Sequence, residues 1–370
     1  MKISILLPYK ENFSPIYAGA VSLYVKDTVS ISKYKKDITV FGNTNFKEIF
    51  NIKYKNLSLP RRILSSQSKS YVKEFLKEEI NHESDIIEVH NRPNYINYIN
   101  YEKLNAKLVL YFHNDPLTMN GSRTLNDRKI LLNTCSKIIF NSQWSKKRFL
   151  EGMSKSYINS EKLLVIYQSA AKKLKSVPKK KKWITFVGKL NRAKGYDIFG
   201  KAIIKILRRY KDWQGIVIGD EPRDKLIFEH KNLKKLGFLK HTKVLNIFKK
   251  TSIAVACSRW EEPFGRTSLE ASNNGCAVII SNRGGLPETV TNAIILKELS
   301  VNEVYNKIKY LIINTKARKN YQNLSLKNFY LTHQKVSKEI DTYRESILTI
   351  FKKILIRKNN YPLRILHVTN

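Results

Sequence analysis

Cysteine is scarce. The three in the chain, Cys135, Cys257 and Cys276, lie far apart and lack metal-ligand spacing. That excludes a disulfide-stapled scaffold and a cysteine-built zinc site, and it suits reduced thiols in a cytosol. Long apolar runs are absent too: no stretch of about 18 uninterrupted apolar residues occurs, which argues against a spanning helix. The first residues, MKISILLPYKENF, turn polar after seven positions. They are too short for a secretory signal and lack its small-residue cleavage site, so a buried first strand is expected. Acid is the third shortage. Asp and Glu number 30 against 68 Lys and Arg in 370 residues, a formal charge of +38.

With 42% apolar and 11% aromatic residues, the chain can bury full-sized cores, and global disorder is excluded. Its length allows two or three domains. The charge has two readings. A strongly basic chain suits nucleic acid, an anionic membrane or a phosphorylated substrate. It also suits a genome-wide bias toward Lys, Asn and Ile, and the lysines are scattered through nearly every segment. Charge alone names no partner.

Short apolar runs alternate with amphipathic stretches. Strands are expected at Lys2–Pro8, Asp37–Phe41, Ile86–His90, Lys107–Phe112, Lys137–Phe140 and Leu163–Tyr167, with helices at Gly19–Tyr34, Lys69–Ile80 and Trp144–Gly152. Lys172–Lys182, KKLKSVPKKKK, has no periodicity and reads as a linker. The alternation restarts with a strand at Trp183–Val187 and continues through strands at Trp213–Ile218, Ile253–Cys257 and Ala277–Ser281. Such repetition predicts parallel sheets flanked by helices. The expected α/β architecture is two Rossmann-like domains facing a cleft: 1–170, a linker at 171–182, and 183–335. Helical periodicity over 336–358 predicts a long helix packing back. The last segment, 359–370, reads as a strand-like tail, either adding to a sheet edge or opening a further unit of a longer chain.

The densest feature is Arg259–Ser272, RWEEPFGRTSLEAS, following a buried strand and opening a helix. Such a junction turns backbone N–H groups and a positive helix end toward one point, which suits a phosphate. Gly265 permits close backbone approach. Glu262 and Glu270, seven residues between them, could hold vicinal hydroxyls of two polyol rings on either side of that phosphate. Taken bare, the pair is better explained by a capping box at Thr267–Glu270 and a solvated loop.

The surrounding sequence reverses that preference. Glu262-Pro263-Phe264-Gly265-Arg266-Thr267-Ser268-Leu269-Glu270-Ala271, then Gly275-Cys276-Ala277-Val278 and Gly284-Gly285-Leu286-Pro287-Glu288, resembles retaining glycosyltransferase family 4, the group 1 glycosyltransferases. Upstream, Val187 to Gly195 resembles that family's phosphate-binding loop, with Lys189 where Arg is common; Ile218-Gly219-Asp220 and Gly237-Phe238-Leu239 follow in order. The resemblance spans roughly Trp183 to Val290. It implies the GT-B architecture and transfer of a sugar, with retention of configuration, from a nucleotide diphosphate sugar. Carried over by position, Lys189 and Lys194 would neutralise the diphosphate without a metal, Glu262 would hold the donor sugar and Glu270 the ribose. Gly188 and the backbone of Phe264, Gly265, Arg266 and Thr267 would line the donor. No cofactor and no metal are expected beyond the donor itself. The family offers no clear nucleophile, and none stands out here.

In the first half the resemblance is looser. His90 (EVHNRP) and His113 (YFHNDP) both end predicted strands, and His113 is the better candidate for the acceptor side and for catalysis. Gly19 sits where the family has a Gly pair, reduced here to Ala18-Gly19, and Tyr167-Gln168-Ser169 replaces the usual Asn-Gly at the end of the domain. The implied setting is bacterial cell-surface polysaccharide, lipopolysaccharide or glycolipid synthesis, with a saccharide or lipid-linked acceptor. Two rival readings stay open. A nucleic-acid-binding protein has only the charge in its favour, and nucleic acid is not the expected partner. A catalytically inactive homologue serving in assembly is opposed by the presence of Lys189, Lys194, Glu262 and Glu270.

Arg61 and Arg62, and Lys146, Lys147 and Arg148 beside Trp144 and Phe149, form two basic stretches in the first half. Basic faces with interleaved aromatics dock on anionic headgroups, so a cytoplasmic enzyme peripheral on the inner face of the membrane is expected; an ordinary solvated face in a Lys-rich chain is the alternative. Sedimentation with liposomes at low salt separates the two. Retention on anionic but not neutral vesicles is expected, and equal partition onto both removes the membrane reading.

Overall fold

The computed structural model describes residues 1–59, 66–102, 104–171, 174–224 and 226–359. Arg61 and Arg62 and the tail from residue 360 lie outside the described residues. The first half builds one sheet from β1 (Ile3–Leu6), β2 (Ile38–Gly42), β3 (Tyr54–Asn56), β4 (Ile86–His90), β5 (Lys107–Phe112), β6 (Lys137–Phe140) and β7 (Leu163–Val165). Helices α1 (Ala20–Val29), α2 (Gln67–His82), α3 (Pro93–Tyr101), α4 (Leu125–Thr134) and α5 (Gln143–Leu150) lie between these strands in the chain. The strands run in the order β3-β2-β1-β4-β5-β6-β7, each parallel to its neighbour. Every residue of β1, β2 and β4 is buried. This is why these strands are mostly apolar on both faces: helices cover both sides of the sheet.

The second half repeats the plan. It contains β8 (Lys181–Val187), α6 (Tyr196–Arg209), β9 (Gln214–Ile218), β10 (Leu233–Lys235), α7 (His241–Lys250), β11 (Thr251–Ala256), α8 (Arg266–Asn273), β12 (Ala277–Ile280) and β13 (Ala293–Ile295), then α9 (Val301–Ile313), α10 (Thr315–Lys327) and α11 (His333–Asn359). Its sheet runs β10-β9-β8-β11-β12-β13, again all parallel. The stripe Ile198, Phe199, Ala202, Ile203, Ile206 and Leu207 on α6 is buried, the three-and-four spacing of an amphipathic helix against a sheet. Strand β8 takes in Lys181 and Lys182, which the sequence places in the linker; both side chains are exposed, so their polarity conceals a paired backbone. The three-residue strands β3, β10 and β13 carry no readable pattern either, because each follows the edge of a sheet its neighbours define.

The chain crosses between the halves twice, near Ala170 and near Thr332, and the two crossings are bridged: Ala170 N donates to Leu331 O at 3.0 Å. After the second crossing α11 returns to the first half. Val336, Ile340, Tyr343 and Ile347, one helix face, join the core formed by Ile3, Ile5, Val25 and Val40. The helix is locked there by a buried ion pair. Glu88, 1% exposed in the middle of β4, accepts a two-pronged bond from Arg344 of α11, Nε to Oε1 and Nη2 to Oε2 at 2.8 Å each, and a further bond from the Tyr343 hydroxyl. Removing one member of a buried pair strands the other charge without water. Arg344→Met is therefore expected to lower the unfolding free energy by about 3–5 kcal/mol, and adding Glu88→Leu to restore part of the loss, as read by urea denaturation.

Candidate active site

The carboxyl ends of the two parallel sheets face each other, and the loops leaving them build the cleft between the halves. Two adjoining cavities occupy it. The first, ≈ 280 Å³, is lined by His113 and Asn141 from the first half and by Lys194, Trp260, Glu262 and Phe264 from the second. The second, ≈ 470 Å³, reaches Tyr17 and Ala18 on one side and Lys189, Phe238, Leu239 and Glu270 on the other. They share Ala20, Val187, Gly188, Arg266 and Thr267. The shared wall is thus the turn after β8 and the N-terminal turn of α8.

Two glycines set how closely the loops around the cleft approach their neighbours. Gly265 caps α8 with φ +115°, and a Cβ there would stand 2.4 Å from Leu286 Cδ1. Gly195 caps α6 with φ +72°, and a Cβ would fall 1.8 Å from the carbonyl oxygen of Cys257. Any larger residue would push the two loops apart.

The charged groups sit at opposite ends. In the first cavity Lys194 Nζ donates to Glu262 Oε1 at 2.6 Å and lies 5.0 Å from the ring centre of Trp260. Glu262 is 9% exposed. In the second, Glu270 Oε1 accepts from Arg266 Nε at 2.6 Å and from His241 Nε2 at 2.8 Å, while Oε2 carries no bond among the described residues. Burial would raise the Glu270 carboxyl, but Arg266 and His241 outweigh it and hold it ionised below its ordinary range. Arg266 also reaches across the cleft, its Nη2 2.6 Å from Asp27 Oδ2 on α1. Tyr17 of the first half and Phe238 of the second stack over the second cavity with ring centres 4.5 Å apart.

His113 leaves β5 at the cleft. Its backbone N–H is accepted by Asn91 Oδ1 at 3.1 Å, and its carbonyl takes a bond from Asn141 Nδ2 at 3.2 Å. Its ring nitrogen Nε2 lies 3.0 Å from His90 Nδ1. Burial, reinforced by Arg344, pushes His90 down to about 3; burial, reinforced by His90, pushes His113 well below the ordinary histidine value. Both rings are neutral near pH 7.

The structure thus brings Lys194, Glu262, His113, Gly188, Phe264, Gly265, Arg266 and Thr267 around one cavity, and Lys189 and Glu270 around its neighbour. Gly19 caps α1 but lines neither cavity. The carboxylate at that helix start is Glu11, whose Oε1 accepts the Ser22 N–H at 3.1 Å and leaves no space for a Cβ at Gly19. Of the basic residues on α5, Lys147 is exposed, whereas Lys146 Nζ bonds Leu163 O and Arg148 bonds Asp115 and Glu151. Among the described residues no group of three or more His, Cys, Asp or Glu could hold a metal ion, and no helix is long and apolar enough to cross a membrane. Sequence reasoning missed Asp27, His241, Trp260 and the side-chain role of Arg266. The four-residue spacing of Arg266 and Glu270 was a visible signal of an ion pair on α8; Asp27, 239 residues from Arg266, had none.

With this geometry in hand, the comparisons agree on a class. Residues 168–327 match the family "Glycosyl transferases group 1". Spore coat protein SA of Bacillus subtilis is 24% identical over 323 residues, 78% of this chain and 83% of that protein. The putative glycosyltransferase YtcC of the same organism is 24% identical over 403 residues, 94% of this chain and 93% of that one. A crystal structure of Anabaena HepE with UDP and glucose superposes with TM-score 0.72 at 18% identity, covering 94% of this chain and all of that one. Sucrose-phosphate synthase of Thermosynechococcus elongatus superposes with the same score at 13% identity, covering 95% and 100%. The fold is GT-B, two Rossmann-like domains across a cleft. The class to which the chain is similar is that of the group 1 glycosyltransferases, through the family match in its second half.

The neutral histidine pair carries a pH signature. Each ring has a lower pKa folded than unfolded, so the unfolded chain binds more protons as pH falls below about 6.5. Their contribution to stability is complete above that pH and declines as pH drops toward 3. The midpoint of thermal unfolding is expected to fall between pH 7 and 4, and less steeply in His90→Phe, which removes one of the two groups. Parallel curves for the two proteins would contradict a His90 held neutral by burial.

Proposed function

We propose that the chain is a retaining, metal-independent glycosyltransferase of family 4. It moves a sugar from a nucleotide diphosphate sugar to a hydroxyl of a saccharide or lipid-linked acceptor in cell-surface polysaccharide, lipopolysaccharide or glycolipid synthesis. The observation that carries this reading is the pair of cavities joined at the α8 N-terminus, with one carboxylate at each outer end. The diphosphate sits at the shared wall, against Gly188 and the first N–H groups of α8, where the helix end favours negative charge. The sugar extends toward Glu262, Lys194 and His113. The ribose reaches Glu270, whose open Oε2 accepts from its hydroxyls, and the base lies between Tyr17 and Leu239.

As the bond from the anomeric carbon to the phosphate oxygen breaks, its electron pair leaves with that oxygen and adds one negative charge to the departing diphosphate. Lys189 at the rim, Lys194 and the α8 N-terminus stabilise that charge. The acceptor oxygen bonds to the anomeric carbon from the same face, and its proton passes to the departing phosphate oxygen. Neutral His113, with an unpartnered ring nitrogen beside the cavity, hydrogen-bonds a hydroxyl of the sugar. HepE was crystallised with UDP-glucose, which supports a nucleotide-sugar donor; a 31% identical stretch of 134 residues belongs to the lipopolysaccharide core mannosyltransferase LpsB of Rhizobium meliloti, which supports sugar transfer in lipopolysaccharide synthesis.

Thermal shift with a panel of UDP-, GDP- and ADP-sugars, UDP-glucose first, is expected to show stabilisation by one nucleotide class. Glu262→Ala and Lys194→Ala are each expected to reduce transfer about 100- to 1,000-fold, the size of one lost charge-stabilising contact, with unfolding temperature little changed. Full transfer activity in either variant would overturn the assignment.

A further inference from the structure

Two histidines ending adjacent parallel strands form a pair that the transfer chemistry sketched above leaves half used. His90 closes β4 and is 1% exposed; His113 follows β5 and is 7% exposed. His90 Nδ1 and His113 Nε2 are 3.0 Å apart, and the other nitrogen of each ring, His90 Nε2 and His113 Nδ1, has no partner among the described residues. The rings are held from several sides. Tyr111 stacks on His90 at 4.2 Å with planes 10° apart, and Tyr24 meets His113 edge-on at 5.2 Å. Tyr111 is itself fastened by its hydroxyl to that of Tyr343, 2.5 Å away, on the return helix. Neither imidazole can turn without moving a buried tyrosine.

A neutral imidazole owns one N–H. The contact between the rings uses one, so the tautomer of one histidine dictates that of the other. Had His113 donated through Nε2, the single N–H of His90 would lie on Nε2, buried and without an acceptor. Unpaired buried N–H groups are rarer than under-satisfied acceptors. With His90 Nδ1–H donating to His113 Nε2, the proton of His113 lies on Nδ1, and the one unpaired N–H moves from the enclosed His90 ring to the ring that lines the cavity, where a sugar oxygen can accept it.

We propose that His90 is the positioning residue of His113: it occupies Nε2, fixes the ring, and makes His113 Nδ1–H a hydrogen-bond donor to a sugar oxygen in the cleft. This rests on the sugar-transfer reading of the cavity, because His113 lines the part of it assigned to the sugar. It goes beyond that reading in setting the direction of the bond. A donor at this place selects for an oxygen with a free lone pair and opposes an N–H or a methyl group there, so His90 shapes sugar specificity without touching sugar.

Nitrogen-15 NMR of the full chain labelled at histidine tests the pairing directly, with His113 assigned by loss of its signals in His113→Asn. The expected spectrum shows His113 protonated at Nδ1, the form that free histidine favours less. A His113 protonated at Nε2 overturns the proposal. In His90→Phe, which keeps the ring volume, His113 is expected to lose the fixed Nδ1–H form, and kcat to fall at least tenfold with donor KM within twofold. His90→Asn, whose amide N–H₂ stands near the place of Nδ1, is expected to restore the tautomer and at least half of the lost rate. An unchanged tautomer and kcat in a folded His90→Phe, or His90→Asn as impaired as His90→Phe, also overturns it. If the parent transfers no sugar from any UDP-, GDP- or ADP-sugar, the transfer reading fails, while the spectrum still decides the pairing. If His90→Phe does not fold, the parent spectrum and His90→Asn decide it.

Discussion

Arg266 is the residue on which the cleft turns. Its side chain is 10% exposed and lies between two carboxylates, Asp27 from the first domain and Glu270 from its own helix. A guanidinium removed from water must be paired, and breaking such a pair costs far more than the pair contributes. The two domains are therefore drawn together at this point: α1 can leave α8 only by stranding Asp27 and Arg266 together. Burial raises the Asp27 carboxyl, and Arg266, His333 and Lys26 outweigh it and keep it ionised. Around this contact the other inter-domain features fall into place. Glu288 of the second domain accepts the N–H groups of Gln143 and Trp144 at the start of α5, at 2.7 and 2.9 Å. The paired crossings at Ala170 and Thr332 and the return of α11 join the domains on the far side.

The same residue ties domain contact to the donor site. Arg266 Nε and His241 both load Glu270 Oε1, which leaves Oε2 for hydroxyls and keeps the carboxylate charged. The carboxylate proposed to take the ribose is thus held by a group that grips the opposite domain. At the other end of the cleft, the first domain contributes through His113, seated by Asn91, Asn141 and His90. The two ends obey different physics: at Glu270 ion pairs fix a charge, and at His113 burial removes one.

Much of this was legible in the chain. The strands β1, β4, β5, β8 and β11 are mostly apolar because both sheet faces are covered, and so they could be read. The placing of Glu262, Gly265 and Glu270 at the cleft was legible for a related reason: they belong to one strand–loop–helix junction, so a few consecutive residues carry its geometry. Glu88 is the counter-example. An acidic residue in mid-strand looks like a solvated edge position, and its partner Arg344 is 256 residues away. Asp27 and the histidine pair are of the same kind. Each is an ordinary polar residue until a distant element arrives beside it.

Local order, meaning which segments pair and which helix follows which strand, is a matter of side-chain pattern over five to fifteen residues, and the sequence by itself determined it. So did the resemblance of residues 183–290 to one family, since its motif is contiguous. The partner of a buried charge, the tautomer of a histidine and the face on which α11 lands were decided only by the tertiary structure. The reason is that burial has no counterpart in a linear string. A carboxylate or an imidazole acquires its pairing and its pKa from whatever excludes water around it, and here that is supplied by residues up to 256 positions away.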